Sequence, residues 1–417
     1  MLKHIMDSIT EIGRNLIRLI KWMLLSMLVG VSVGGISTLF AHAMIWVTDI
    51  RGSHTWLILL LPVGGIMIVG IYQLFRYRND RGTNMILSAI HSGGAVPYRV
   101  APLIIFATIV SHLFGASVGR EGAALQLGGS LGNLLSRIVR LDEKDKKVMI
   151  MCGMSAAFAA LFGTPMAAAI FALEVIHVGV MYYAALVPCI FSALIASMFS
   201  AGMGIHPEAF IIKAVPETGI VSIGLTVILA VICAAVSVIF CMMLHGAGLF
   251  FRKYLKNPYL RILAGSAAII LITIILGTDD YMGAGIGVIE RAIDGEAAPL
   301  SFLFKMVLTA LAIGCGFKGG EIVPSFFVGA TLGCVVGHLI GLEPSTAAAV
   351  GMVGMFCCVT NCPISSILIA FELFGYEAVP FFIVCIAVGY LMSGYYGLYQ
   401  DQLITSSKYK LQSQKEI

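Results

Sequence analysis

Apolar residues run in long blocks along this chain. Stretches at about 17–47, 55–75, 178–203, 218–250, 259–277 and 377–396 are each long enough to cross roughly 30 Å of hydrocarbon as a helix. Between them lie shorter segments rich in Gly, Ala and Ser, at 98–118, 121–140, 300–317, 321–341 and 345–373. These are interrupted by Gly119-Arg120-Glu121-Gly122, by Gly319-Gly320-Glu321, and by Thr164-Pro165 and Cys362-Pro363. The pattern predicts an all-α membrane body in which full spans alternate with half-crossings and broken helices.

An internal repeat organises the pattern. Gly153-Met154, Pro165 and Glu174 recur as Gly351-Met352, Pro363 and Glu372, all at an offset of 198. Upstream, Gly119-Arg120-Glu121 is matched by Gly319-Gly320-Glu321, and the stretch from Gly82 to Ala89-Ile90 by that from Gly285 to Ala292-Ile293. Three matched blocks in one order imply two halves, about 17–205 and 218–402, within a single transmembrane domain. Paired Gly/Pro-interrupted segments in such halves are the mark of a transporter whose site lies at the repeat interface.

Composition and charge agree. Of 417 residues 59% are hydrophobic and 12% charged, against about 25% charged in soluble domains, and the mean hydropathy is +0.97. Lys3, His4, Arg14, Arg18 and Lys21 precede the first apolar block, as a basic amphipathic lead-in. They place the N-terminus in the cytoplasm, and after two spans the Arg76/Arg78/Arg81 loop returns there. The apolar run Trp22 to Ile45 is too long for a cleavable signal, whose apolar region is about 7–15 residues. Polar loops are short (Asp142–Lys147, the tail Lys408–Glu416), and with about 15 residues left after Gln402 no cytoplasmic regulatory domain is expected. The 10 cysteines fall in or beside apolar runs without a CxxC pair, and Cys358 and Cys362 read as buried small hydrophobes, not as a metal site. Ser/His/Asp sets and HExxH motifs are absent, which argues against an enzyme; no cofactor, metal or nucleic acid is called for.

A broken helix frees backbone N–H groups and puts positive potential at its N-terminus, which makes an anion site. Glycines at 119, 122, 319 and 320 let an ion approach those amides. Glu121 and Glu321 stand at the first turns of two such helices. A carboxylate deep in a membrane costs about 2.5–3.5 kcal/mol on insertion scales; at a helix N-terminus it can take an anion's place, and leave it when protonated. Either residue could instead be a simple cap. Lys318 and Arg120 flank the two glutamates and would raise the local positive potential. Glu174 and Glu372 read as fold-stabilising, and His112 and His338 as hydrogen-bonded core histidines.

At Gly119-Arg120-Glu121-Gly122-Ala123 and Gly319-Gly320-Glu321-Ile322-Val323-Pro324 the chain resembles the CLC family of anion channels and proton-coupled anion antiporters, over about residues 17–402. The resemblance implies an inverted-repeat bundle, a homodimer with one pore per subunit in the lipid bilayer of the cytoplasmic membrane, and both termini cytoplasmic. Glu121 takes the gating role, and Gly319, Gly320, Ile322 and Val323 form the second pore element. Tyr399 in Gly397-Leu398-Tyr399-Gln400 fits the tyrosine that closes the inner side of the anion site, with Tyr395 and Tyr396 as rivals.

Departures from the chloride members point to another anion. Gly82-Thr83-Asn84-Met85-Ile86 stands where those carry Gly-Ser-Gly-Ile-Pro, Ala123 stands for a usual Pro, and Val175 for the inner proton glutamate. The pattern resembles the bacterial fluoride-selective branch, with Met85 as the selectivity methionine, or Thr83 if the alignment slips. Fluoride is strongly hydrated, so a site that strips its water must return short donors. A protonated Glu321 could donate to fluoride and replace the missing inner proton carrier. The expectation is fluoride export in exchange for protons; the alternative is a chloride/proton antiporter or a passive chloride channel.

Overall fold

The structure, a computed structural model, describes residues 2–77, 80–94 and 96–409, with the side chains of residues 2–6 and 9 left aside. Arg78, the tail from Lys410 to Glu416 and the side chains of Lys3 and His4 therefore lie outside the described residues.

The described residues form sixteen α-helices. The first eight are α1 (Leu2–Ser53), α2 (Leu61–Leu74), α3 (Thr83–Ser92), α4 (Val100–Leu113), α5 (Glu121–Ile138), α6 (Glu143–Phe162), α7 (Pro165–Glu174) and α8 (Leu186–Gly202). The next eight follow in the same succession of long and short: α9 (Ile220–Tyr254), α10 (Pro258–Leu276), α11 (Ile286–Ile293), α12 (Ser301–Cys315), α13 (Ile322–Ile340), α14 (Pro344–Thr360), α15 (Pro363–Phe374) and α16 (Val379–Met392). Local sequence explains the ends. The Asp142 carboxylate accepts from the N–H groups of Lys144 and Asp145 to start α6, and Asn257 caps α10 ahead of Pro258. Gly163, Gly277 and Gly341 close α6, α10 and α13 with positive φ, and Asn361 does the same for α14 at φ 58°.

Six helical stretches among the described residues are long and apolar enough to cross a membrane: Thr10–Ser53, Thr55–Leu74, Tyr183–Gly202, Ile220–Tyr254, Pro258–Leu276 and Ile322–Ile340. Two differ from expectation. The block at 377–396 yields only the 14-residue α16. The segment at 321–341, expected to be short, forms a 19-residue helix. In α13, 83% of the apolar window is buried, against 22% in α10. Small residues send α13 into the protein interior, whereas the Ile/Leu surface of α10 faces outward. The basic lead-in is not a separate helix but the start of α1, whose 52 residues span roughly 78 Å at 1.5 Å per residue.

The interior rests on glycine contacts that recur in both halves. A Cβ on Gly128 would meet the Gly153 carbonyl, and one on Gly132 the Met149 carbonyl, so α5 and α6 touch backbone to backbone. Gly329 meets Gly351 and Gly333 meets Ala347 in the same way between α13 and α14. A short parallel pair, β1 (His177–Val178) with β2 (Leu403–Ile404), brings the C-terminal segment back beside the end of α7.

Candidate functional site

Both interruptions meet at one place. Gly119 N–H donates to the Gly320 carbonyl (2.7 Å) and Gly320 N–H to the Gly119 carbonyl (2.8 Å), an antiparallel bridge joining the leaders of α5 and α13. The approach requires glycine: a Cβ on Gly320 would lie 2.7 Å from Glu121 Oε2, one on Gly319 2.7 Å from the Gly119 carbonyl, and one on Gly122 3.0 Å from the Gly319 carbonyl.

Glu121 opens α5 and is fully buried. Its carboxylate turns across the bridge to the other helix: Val323 N–H donates to Oε2 (3.1 Å), and Arg120 N–H donates to Oε1 (3.0 Å). A carboxyl group therefore already sits on an N-terminal amide of α13, where the dipole favours negative charge. Ile322 and Val323 are buried in that first turn. Glu321 is the N-cap residue of α13 and makes no side-chain cap hydrogen bond. Its Oε2 points instead toward Gly122, 3.5 Å from where a Cβ would stand. The two carboxylates thus reach past each other, each toward the opposite helix.

The element Gly82–Met85 completes the surround. Gly82 is the N-cap of α3 with φ +60°, a conformation for which glycine is the natural residue. Buried Thr83 reaches the Gly122 carbonyl with Oγ1 (3.5 Å), the same carbonyl that Gln126 Nε2 reaches at 3.0 Å. The Tyr77 hydroxyl donates to Met85 Sδ (2.8 Å). Asn84 faces the chain end, where its Oδ1 accepts from Asp401 N–H (3.1 Å). Among the three rival tyrosines, Tyr395 and Tyr396 are 41% and 52% exposed, while Tyr399 is 6% exposed. Its buried hydroxyl has no hydrogen-bond partner, and it lies within electrostatic range of both Glu321 and Glu121. A free buried donor suits an anion.

Each flanking cation has a carboxylate partner. The Arg120 guanidinium is paired with Glu208 and lies over the Phe162 ring at 5.2 Å, while its backbone N–H holds Glu121. Lys318 Nζ is paired with Asp80 Oδ2 (2.7 Å). Each cation thus shares its charge with a carboxylate beside the site.

Several residues escaped the sequence reading. Asp80, Gln126, Asp401 and the fully buried Lys305 hold the site together. Lys305 Nζ donates to the carbonyls of Tyr281 (3.1 Å) and Gly283 (2.6 Å), and Gly283 N–H donates to the Ala116 carbonyl (3.1 Å), just ahead of Gly119. Only Asp80 left a legible signal, an Asp two residues before a glycine, the pattern of an Asx turn. His112 is a buried core histidine, with Nδ1 on the Thr108 carbonyl (3.0 Å). His338 is not: it lies exposed on α13 with Nε2 on the Gly295 carbonyl (2.9 Å), because that stretch of the helix emerges from the interior. All ten cysteines are buried free thiols.

Comparison with known proteins followed the same lines. Residues 64–394 match the family described as voltage gated chloride channel. A chloride/fluoride channel protein of Pseudomonas syringae pv. tomato is 37% identical over 404 residues, 95% of this chain and 89% of that one. An H(+)/Cl(-) exchange transporter of Vibrio cholerae is 25% identical over 84% of this chain and 81% of its own length. The crystal structure of a CLC-type fluoride/proton antiporter superposes with a TM-score of 0.89 at 34% identity, over 93% of this chain and 98% of that one. A slow cyanobacterial Cl-/H+ antiporter shares the fold, with a TM-score of 0.77 at 16% identity, over 89% of this chain and 94% of that one.

Proposed function

This chain belongs to the voltage gated chloride channel family, and from that premise we propose that it exports fluoride across the cytoplasmic membrane in exchange for protons. The observation that carries the reading is the crossed pair of carboxylates. Glu121 occupies the α13 amides in an anion's stead, and Glu321 stands uncapped opposite it.

Glu121 is the gate. Ionised, it holds Val323 N–H and excludes the anion; protonated, it loses the attraction of the helix dipole and yields those amides to fluoride. Glu321 is the second proton carrier, in the absence of a carboxylate at Val175. As a neutral acid it donates to fluoride, and as a carboxylate it repels it, which links anion and proton movement. Tyr399 offers its free hydroxyl from the inner side, Gly82, Thr83 and Met85 add a further wall, and Asn84 ties that element to Asp401. The glycines at 119, 122, 319 and 320 keep the amides open, and Ile322 and Val323 present theirs from the first turn of α13.

The same reading makes the protein a multi-pass homodimer with one pore per subunit and both termini in the cytoplasm. Its two repeats meet at the Gly119–Gly320 bridge within one transmembrane domain. We assign it transport and no enzymatic reaction. Chloride/proton exchange is the competing reading, favoured by the Vibrio cholerae relative. The test is efflux from liposomes loaded with fluoride or chloride, each followed with its own electrode and with proton uptake recorded alongside. Fluoride much faster than chloride, with protons moving the other way, is the expected result; equal rates overturn the fluoride assignment.

A further inference from the structure

The shortest pore helix, α3 with its leader, is held in place by a charge pair that the proposed transport steps do not use. Asp80 is almost wholly buried, with 5% of its side chain exposed. Its Oδ1 accepts from Gly82 N–H (2.9 Å), fixing the positive-φ cap that starts α3. Its Oδ2 accepts from Lys318 Nζ (2.7 Å). Lys318 in turn sits over the Tyr72 ring at 5.0 Å, and its backbone N–H is held by Ser111 Oγ (3.2 Å). The residue after Lys318 is Gly319, which leads into Glu321 and α13. A single ion pair therefore spans the two elements that face each other across the site.

We propose that the Asp80–Lys318 pair is a selectivity spacer, fixing the N-terminus of α3, with Thr83 and Met85, at a set distance from the N-terminus of α13. This rests on the reading of those two helix starts as walls of one anion site. A small ion stripped of water is bound well only if donors close on it from all sides, and a wall that retreats by a fraction of an ångström favours the larger halide. A merely structural ion pair would affect both anions alike. Lys318 acting only as an attracting charge would do so too, with opposite signs when the charge is removed and when it is released from Asp80.

Purified full-length protein in liposomes, with fluoride and chloride electrodes as readout, separates these cases. Asp80→Asn and Lys318→Met are each expected to raise the chloride-to-fluoride flux ratio by on the order of tenfold or more, the scale of loss that a small misplacement produces. Lys318→Arg keeps the charge within reach of Asp80 and should retain the wild-type ratio. Should a single variant leave a buried charge unpaired and fail to fold, the neutral pair Asp80→Asn with Lys318→Gln is read in its place. An unchanged ratio in folded protein overturns the proposal, whether both fluxes fall together or move in opposite directions in the two single variants. The wild-type ratio tests the fluoride assignment itself, and the change in that ratio tests the spacer, so the two can fail separately.

Discussion

Glu174 and Glu372 cap each other's helices. Glu174, the last residue of α7, accepts from the N–H groups of Ile364 (3.0 Å) and Ser365 (2.8 Å) at the start of α15, and from Ser365 Oγ (2.5 Å). Glu372, near the end of α15, accepts from the N–H groups of Met166 and Ala167 at the start of α7, both at 2.9 Å. Each carboxylate sits where freed amides and the helix dipole welcome negative charge. The exchange locks α7 and α15 against each other, the end of each on the start of the other.

Truncating either carboxylate leaves the first N–H groups of a helix unsatisfied, that of a buried residue (Ser365 or Ala167) among them. Glu174→Ala and Glu372→Ala are each expected to lower stability by about 1–3 kcal/mol, while proton-to-fluoride stoichiometry stays intact in the protein that remains folded. Thermal unfolding in detergent beside flux measurements checks this, and a stable but uncoupled variant would move these residues into the transport path.

Glu121→Gln is expected to abolish proton-coupled exchange. The amide can still meet the Val323 N–H through its oxygen but carries no proton in transit. Uphill fluoride movement driven by a proton gradient in this variant would show that the proton travels elsewhere.

Glu321 makes no cap bond, so Glu321→Gln should change stability by less than about 0.5 kcal/mol and yet lose coupled transport. A capping role would show as a loss of about 0.5–2 kcal/mol with exchange preserved. Unfolding and flux on one preparation decide between the two.

Tyr399→Phe removes a buried hydroxyl that bonds nothing in the protein. Stability should hold, while fluoride binding weakens by about 1.5–3 kcal/mol, the worth of a hydrogen bond to a charged group. Equilibrium titration with fluoride measures it, and unchanged affinity would remove Tyr399 from the site.

Met85→Ser, combined with a Gly-Ile-Pro sequence after it, should raise chloride permeability relative to fluoride. The comparison is made by paired electrodes on the same vesicles. An unchanged chloride-to-fluoride ratio would point to Thr83 as the determinant.

Long apolar blocks, paired glycine and proline interruptions and the 198-residue offset are local or periodic properties. They exposed the all-α membrane class, the two broken helices and the glutamates at their starts, because lipid forces every backbone polar group to be satisfied within helices and marks each exception. Which tyrosine turns inward could not be read that way: Tyr395, Tyr396 and Tyr399 have equivalent chemistry, and only the folded chain, held at Leu398 on the Val359 carbonyl, buries the third. Local pattern likewise could not show that Arg120 and Lys318 are spoken for, since their partners Glu208 and Asp80 lie 88 and 238 residues away. The sequence by itself determined which groups can carry charge through the membrane. Tertiary structure alone decided which of them are paired, because charge pairing depends on distance in space, whatever the separation along the chain.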